Sequence, residues 1–330
     1  MPDRVMVSAP SQAFLFGEHA VLYKSRALAC GVERRSKAEL KVRGDRIVKI
    51  VSDAYPREYI GKIESGGIRG EGPKELEILA RGLSELYSKY EFDKGVEIRI
   101  WSDIPVGSGM ASSASVSACI VRGFSVLAGI DMSKEDILEN VYMFERIIHG
   151  RASKTGPACA VYGGIVLVEW VSNGMVAKRV DLKVEIPLVI CCVKARTPTS
   201  VMISKVADRV KRVGLPMRKI METVDLLIDA GLKAMENGDL KLLGELMLVN
   251  QGLLWAMGVS TSEIDRVINV ALENGAYGGK LSGGGGGGCV LILSGVECTN
   301  KIIKSLQTIG YKPFRSSVSV EGVKVLEVTS

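Results

Sequence analysis

The order of residues from Asp103 to Ala114 constrains this chain more than any other segment. Asp-Ile-Pro-Val-Gly-Ser-Gly-Met-Ala-Ser-Ser-Ala puts Pro105, Gly107 and Gly109 directly before a long apolar run that reads as a helix from Ser112 to Ala128. A helix does not run through such residues, so the backbone must turn there and start the helix afresh. The glycines let backbone amides face an anion, and the new helix supplies free N–H groups and the positive end of its dipole. Ser112 and Ser113 fall in the first turn, where hydroxyls reach phosphate oxygens or a magnesium ion. Pro105, Gly107, Ser108, Gly109, Met110, Ala111, Ser112 and Ser113 together read as a phosphate cradle, and so point to a nucleotide. The cradle is not a P-loop, because no Gly-Lys-Ser/Thr follows Gly109.

A Gly/Ser turn before a helix is by itself an ordinary loop and N-cap, but two further segments favour the cradle. Residues 278–289 read Gly-Gly-Lys-Leu-Ser and then six glycines into Cys289, pinned between a helical stretch (Ser262 to Glu273) and an apolar strand (Cys289 to Leu293). A flexible linker would join polar segments instead. Near the N-terminus, Ser8 to Tyr23 sets Glu18 and His19 beside Gly17, between apolar runs.

These three segments resemble the three motifs of the GHMP kinases, the superfamily of galactokinase, homoserine, mevalonate and phosphomevalonate kinases. The first is most similar to the mevalonate kinase branch, which opens Ala-Pro-Gly-Lys followed by Gly-Glu-His-Ala-Val. Order, separation and chain length all fit, so the resemblance spans essentially the whole chain. It implies an α+β, two-domain GHMP kinase fold: an N-terminal domain like ribosomal protein S5 domain 2, a C-terminal ferredoxin-like domain, and the active site in the cleft between them. It also implies an ATP-dependent kinase using Mg2+.

Composition agrees with a globular enzyme. An apolar fraction of 47% over 330 residues suffices for two cores. Apolar stretches stop well short of a membrane span, and Asp3 and Arg4 stand where a signal peptide would have its core, so a cytoplasmic protein with no membrane partner is expected. The net charge of +6 is spread among acids, which fits attraction of a small anionic substrate and not a nucleic acid. Seven cysteines without regular spacing read as buried small hydrophobes, with neither disulfides nor a zinc site.

Strands are predicted at Val5–Ser8, Ala38–Val42, Val96–Trp101 and Ile165–Trp170, with helices at Lys74–Tyr90, Ser112–Ala128 and Ser133–Ile148. Ser133 to Asp136 has the form of a capping box. The pattern then changes: a strand at Pro187–Val193, helices at Ser200–Val213, Lys219–Asn237, Leu240–Met257 and Ser262–Asn274, the strand before Leu293, a helix at Thr299–Ile309 and a strand at Val323–Val328. The expected domains are residues 1–174, binding the nucleotide, and 175–330, divided near Asn173 and Gly174.

For the chemistry, the resemblance makes Glu145, four residues before His149, the acidic magnesium ligand together with Ser113. Glu18 and His19 would line the acceptor pocket, and both histidines of the chain, His19 and His149, fall inside motif segments. Ser282, Gly283 and Gly284 of the second glycine loop are further candidates for substrate contact.

The family pattern breaks at one place. Mevalonate kinases read His-Gly-Xaa-Pro-Ser-Gly-Xaa-Asp, with the aspartate as proposed base paired to the lysine of Ala-Pro-Gly-Lys; here those positions are Gly156 and Gln12. Their joint loss strands no buried charge and reads as a redesigned site with no assigned catalytic base. Arg151 and Lys154 add cations in the same segment, and Arg196 adds another after the strand ending at Val193. Such cations suit an extra phosphate on the acceptor, so the expected activity is phosphorylation of the 5-hydroxyl of mevalonate 3-phosphate. A mevalonate 5-kinase with a divergent base and a non-catalytic binding module are the alternatives; a decarboxylase of the superfamily would also need the missing pair. The resemblance leaves a homodimer open.

Overall fold

The computed structural model describes residues 2–105, 107–182, 185–193, 197–319 and 321–330. It begins with two long strands, β1 (Arg4–Phe16) and β2 (Ala27–Arg43), in antiparallel register from Arg4 opposite Lys41 to Phe16 opposite Leu28. β1 outruns the predicted Val5–Ser8 because Ala13 to Phe16 is buried on both faces and leaves no alternation to read. Its register shifts between Pro10 and Ser11, a bulge that accommodates a residue without an N–H. Just beyond the bulge, the Gln12 amide donates to the Met110 carbonyl at 3.0 Å and ties β1 to the glycine cradle.

There follow β3 (Ile47–Ser52), β4 (Tyr59–Glu64), β5 (Gly67–Glu71), α1 (Lys74–Lys89), β6 (Gly95–Ser102), α2 (Ser112–Ala128), α3 (Lys134–His149), α4 (Thr155–Tyr162), β7 (Ile165–Val171) and β8 (Gly174–Val180). The second half holds β9 (Leu188–Val193), α5 (Thr199–Val213), α6 (Leu215–Glu236), α7 (Leu240–Ala256), α8 (Ser262–Glu273), β10 (Ala276–Ser282), β11 (Gly288–Ser294), α9 (Val296–Thr308), β12 (Phe314–Ser316) and β13 (Lys324–Thr329). Among the described residues the strands form two sheets. The nine-stranded sheet runs β13-β1-β2-β6-β3-β4-β5, with β7 on the first part of β2 and β8 on β7; the four-stranded sheet, β10-β11-β9-β12, is antiparallel throughout.

α2 occupies the residues the sequence predicts, and α3 starts from the expected capping box: Ser133 Oγ accepts from the Asp136 amide at 3.1 Å while Asp136 Oδ2 accepts from the Ser133 amide at 3.0 Å. α1 buries Leu76, Leu79, Leu83 and Leu86 at helical spacing against the large sheet. A second core joins Leu15, Phe16 and Leu28 of the large sheet to Ile190 and Leu291 of the small sheet and Met221 and Ile228 of α6. Here α6 docks so closely that a Cβ on Gly231 would lie 2.6 Å from the Phe16 ring. The division expected at 174 falls at the start of β8, which pairs along its length with β7, and β13 returns to the large sheet beside β1.

Two expectations need correction. Residues 278–282 are not loop but the body of β10, because Gly278 is where the backbone of α7 comes close: a Cβ there would lie 2.0 Å from the Gly244 carbonyl oxygen. The glycine loop proper is therefore short. Second, Cys192 and Cys289 are disulfide-bonded; they face each other across β9 and β11 with Cα atoms 4.0 Å apart. Their separation of 97 residues hides the pairing from any reading of spacing. Cys30, Cys119, Cys159 and Cys191 are free and buried, as expected. No helix among the described residues is long and apolar enough to cross a membrane.

Candidate active site

The cradle takes the shape its glycines permit. Gly107 and Gly109 have φ of +69° and +81°, and Ala111 follows at +52°, so alternate residues enter the left-handed region immediately before α2. No side chain caps α2, which leaves its first amides available to a ligand. The second glycine loop leans on the first: Gly283, at φ +97°, comes so near that a Cβ would be 2.8 Å from the Gly109 carbonyl oxygen. Its far end is fixed by hydrogen bonds from the Gly286 amide to the Val259 carbonyl and from the Thr197 amide to the Gly286 carbonyl, 2.8 and 2.9 Å.

Between these loops lies a cavity of about 320 Å³, within the range of small-molecule sites. All eight cradle residues line it, and so do Glu145, His149 and Arg151. Glu18, His19, Gly283 and Gly284 complete the set of predicted residues in its wall, with Gln12 and Gly156 between. Thr199 and Ser200 at the start of α5 and Val21 and Leu22 after the His19 turn also line it, unanticipated from sequence.

Three buried oxygens around this cavity have no hydrogen-bond partner: Gln12 Oε1, Glu18 Oε2 and Glu145 Oε1. Each is an acceptor as placed, and an unpaired buried polar atom costs about 1–3 kcal/mol. Unpaired acceptors on residues that line a cavity are what a site awaiting hydrogen-bond donors or a cation would show. Glu145 stands beside Ser113, whose hydroxyl bonds to it, and His149 Nε2 is 3.7 Å from its carboxylate and 3.3 Å from Ser113 Oγ. Burial pushes the Glu145 carboxyl up to about 7, against the pull of the Ser113 hydroxyl. A cation would reverse that shift, so Glu145 and Ser113 are chemically suited to Mg2+, the triphosphate supplying further oxygens.

Glu18 is equally buried and forms an ion pair with Lys280, itself fully buried on β10. The same ammonium donates to the Leu281 carbonyl at 2.7 Å and the Phe14 carbonyl at 3.4 Å. Burial raises the Glu18 carboxyl, opposed by Lys280 and more weakly by the amides of Glu18 and Gly283; burial lowers the Lys280 ammonium, opposed by Glu18. His19 sits at φ +56°, with Nε2 3.0 Å from the Gly284 carbonyl oxygen. Because a carbonyl only accepts, Nε2 carries the proton, and burial holds the imidazole below its ordinary value in the neutral form.

Gly156 and Gln12 face each other: a Cβ on Gly156 would be 3.6 Å from Gln12 Oε1 and 3.2 Å from the Cβ atoms of Ala111 and Ala114. Other placements differ from expectation. Lys154 does not line the cavity; it is paired with Glu139, its ammonium 5.3 Å from the Tyr142 ring centre, because α3 presents that acid and ring to it. Ser282 also turns away, its hydroxyl accepting from the Phe14 amide at 2.9 Å and joining β10 to β1. Arg196 lies outside the described residues. Arg151 is thus the cation of the wall, and it has no ion-pair partner among the described residues. Lys280 was missed in the sequence; its signal was a lysine set between Gly279 and Leu281 just ahead of the six-glycine run.

Residues 77–164 match the model of the GHMP kinases N terminal domain and residues 232–297 that of the GHMP kinases C terminal domain. The chain is 32% identical to the mevalonate kinase of Methanothermobacter thermautotrophicus, over 96% of this chain and 98% of that protein. It is 30% identical to that of Pyrococcus horikoshii over 100% of each. The crystal structure of Methanococcus jannaschii mevalonate kinase superposes with a TM-score of 0.81 at 25% identity, covering 95% of this chain and 98% of that one. The chain belongs to the GHMP kinases, and is an ATP-dependent kinase with their α+β fold. Within that family it is a mevalonate-kinase-like enzyme of the mevalonate pathway.

Proposed function

We propose that the chain transfers the γ-phosphoryl group of ATP to the 5-hydroxyl of a mevalonate derivative that already carries a phosphate, mevalonate 3-phosphate. The observation that carries this reading is the wall of the acceptor side. The Lys/Asp pair is replaced by the neutral Gln12 and Gly156, while Arg151, with no acid paired to it among the described residues, lines the same cavity. A guanidinium free to form forked hydrogen bonds suits a phosphate better than a neutral alcohol does. The cradle amides and the start of α2 hold the triphosphate, and Glu145 with Ser113 would hold Mg2+, which neutralises phosphate charge when bound. Transfer then depends on alignment and electrostatic stabilisation more than on covalent help from the protein.

Mevalonate itself is the second reading. Gln12 Oε1 and Glu18 Oε2 are two unsatisfied acceptors, and mevalonate offers two hydroxyl donors where its 3-phosphate offers one. ADP release with each acceptor supplied alone at equal concentration separates the two. Faster turnover of mevalonate 3-phosphate is expected; preference for mevalonate would overturn that choice of acceptor and leave a mevalonate 5-kinase. No release with either would overturn both readings.

A further inference from the structure

A hydroxyl that becomes a phosphate ester must give up its proton, and the cavity wall offers few groups able to take it. Its ionisable members among the described residues are Glu18, His19, Glu145, His149 and Arg151. Arg151 stays protonated, and Glu145 and His149 are grouped with Ser113 at the start of α2, the phosphate end of the cavity. His19 donates through Nε2 to the Gly284 carbonyl, and burial disfavours the imidazolium that a proton taken up at Nδ1 would create. Gln12 can orient a hydroxyl but cannot accept its proton. Glu18 remains. One of its oxygens is held by Lys280; the other is buried, unpartnered and part of a residue lining the cavity.

We propose that Glu18 is the catalytic residue that accepts the proton of the acceptor hydroxyl through Oε2, and that Lys280 is a positioning residue that holds its carboxylate in place. The proposal rests on the kinase reading and deepens it. In the step, a lone pair of the acceptor oxygen forms the bond to Pγ as the bond from Pγ to the ADP oxygen breaks, its electron pair leaving with ADP. The hydroxyl proton passes to Glu18 Oε2, giving a neutral carboxyl, and returns to solvent when product departs.

The geometry explains why a lysine is buried here. Its contacts with Glu18, the Phe14 carbonyl and the Leu281 carbonyl account for all three N–H donors, so the ammonium is fixed on three sides. One carboxylate oxygen is held by the ammonium, and the other is left without a partner on a residue that lines the cavity. Burial raises the basicity of that carboxylate and the Lys280 ammonium opposes the rise, and a raised basicity suits a general base. Lys280 on β10 is the charged group that faces Glu18, and His19 is its neighbour on its own turn.

The test uses the full chain with whichever of mevalonate and mevalonate 3-phosphate the parent turns over. Four variants, Glu18→Gln, Glu18→Asp, Lys280→Met and Glu18→Gln with Gly156→Asp, are assayed for kcat, acceptor KM, nucleotide affinity and Tm. Glu18→Gln is expected to lower kcat by about 10²- to 10⁴-fold, with nucleotide affinity unchanged. The acidic limb of the kcat–pH profile should be lost with it. Lys280→Met should move that limb to higher pH, because the carboxylate loses its counter-charge; a merely structural lysine would leave it in place. Adding Gly156→Asp should recover activity in the Glu18→Gln chain, since it sets a carboxylate across the same cavity. If Glu18→Gln does not fold, Glu18→Asp retains the ion pair and shifts the oxygen, and a clear fall in kcat is expected. A folded Glu18→Gln or Glu18→Asp chain with parental kcat overturns the proposal alone. A parent inactive on both acceptors overturns the functional reading and the proposal with it.

Discussion

Restoring the missing pair tests whether Gln12 and Gly156 are coupled as the structure places them. Gly156→Asp alone buries a carboxylate with no cation beside it, and Gln12→Lys alone buries an unpaired ammonium. Each should cost about 3–5 kcal/mol. In the double variant the two side chains would meet, since the Cβ position of Gly156 lies 3.6 Å from Gln12 Oε1. At about 4 Å and an effective dielectric near 20, opposite charges attract by about 4 kcal/mol. The Cβ that Gly156→Asp introduces must also displace Ala111 and Ala114, each at 3.2 Å, by a few tenths of an ångström, but that cost enters the single and double variants alike and cancels in the cycle. A coupling of about 2–4 kcal/mol in favour of the double variant is therefore expected from urea unfolding followed by fluorescence and far-UV circular dichroism. Additivity within about 0.5 kcal/mol would refute the facing arrangement of the two positions.

Three further outcomes follow from the same wall. Arg151→Ala should raise the KM for mevalonate 3-phosphate by about 10- to 100-fold, the loss of charged hydrogen bonds worth about 1.5–3 kcal/mol, and leave that for mevalonate near the parental value; equal effects on both would place Arg151 elsewhere. Gly283→Ala should weaken nucleotide binding and lower Tm, because its φ of +97° and the Gly109 carbonyl at 2.8 Å leave no room for a methyl group; unchanged nucleotide affinity would show the two glycine loops to be independent. His19 is held below its unfolded value of about 6.5, so the unfolded chain takes up a proton there that the folded chain refuses. Its contribution to stability is present above that pH and is lost as pH falls below it. His19→Asn, which tolerates the positive φ, should flatten that part of the stability–pH curve, and an unaltered slope would argue against a buried neutral imidazole.

The sequence made the phosphate end of the site legible because its determinants are local. Pro105, Gly107 and Gly109 break the backbone, the apolar run after Ser112 restarts it, and α2 begins where that contrast lies. Glu145 and His149 were readable together since one helical turn joins them. The acceptor end was less so, because its determinants are distant in the chain. Lys280 reaches Glu18 across 262 residues, and Lys154 is drawn off by Glu139, a contact that depends on how α3 and the following loop fold back. β10 was hidden for another reason: glycines depress strand propensity, yet Gly278 is needed for α7 to approach the strand. α4 was missed because Gly156 and Pro157 open it, and Pro157 is tolerated in a first turn that packing completes.

The central claim, phosphoryl transfer to an already phosphorylated acceptor, is tested most directly by competition. Mevalonate and mevalonate 3-phosphate, at equal concentration with ATP and Mg2+, are offered together to the purified chain, and both products are quantified by mass spectrometry. The ratio reports relative kcat/KM without separate rate measurements. The account predicts that the 3,5-bisphosphate dominates and that Arg151→Ala erases the preference. A product pool dominated by mevalonate 5-phosphate would contradict it.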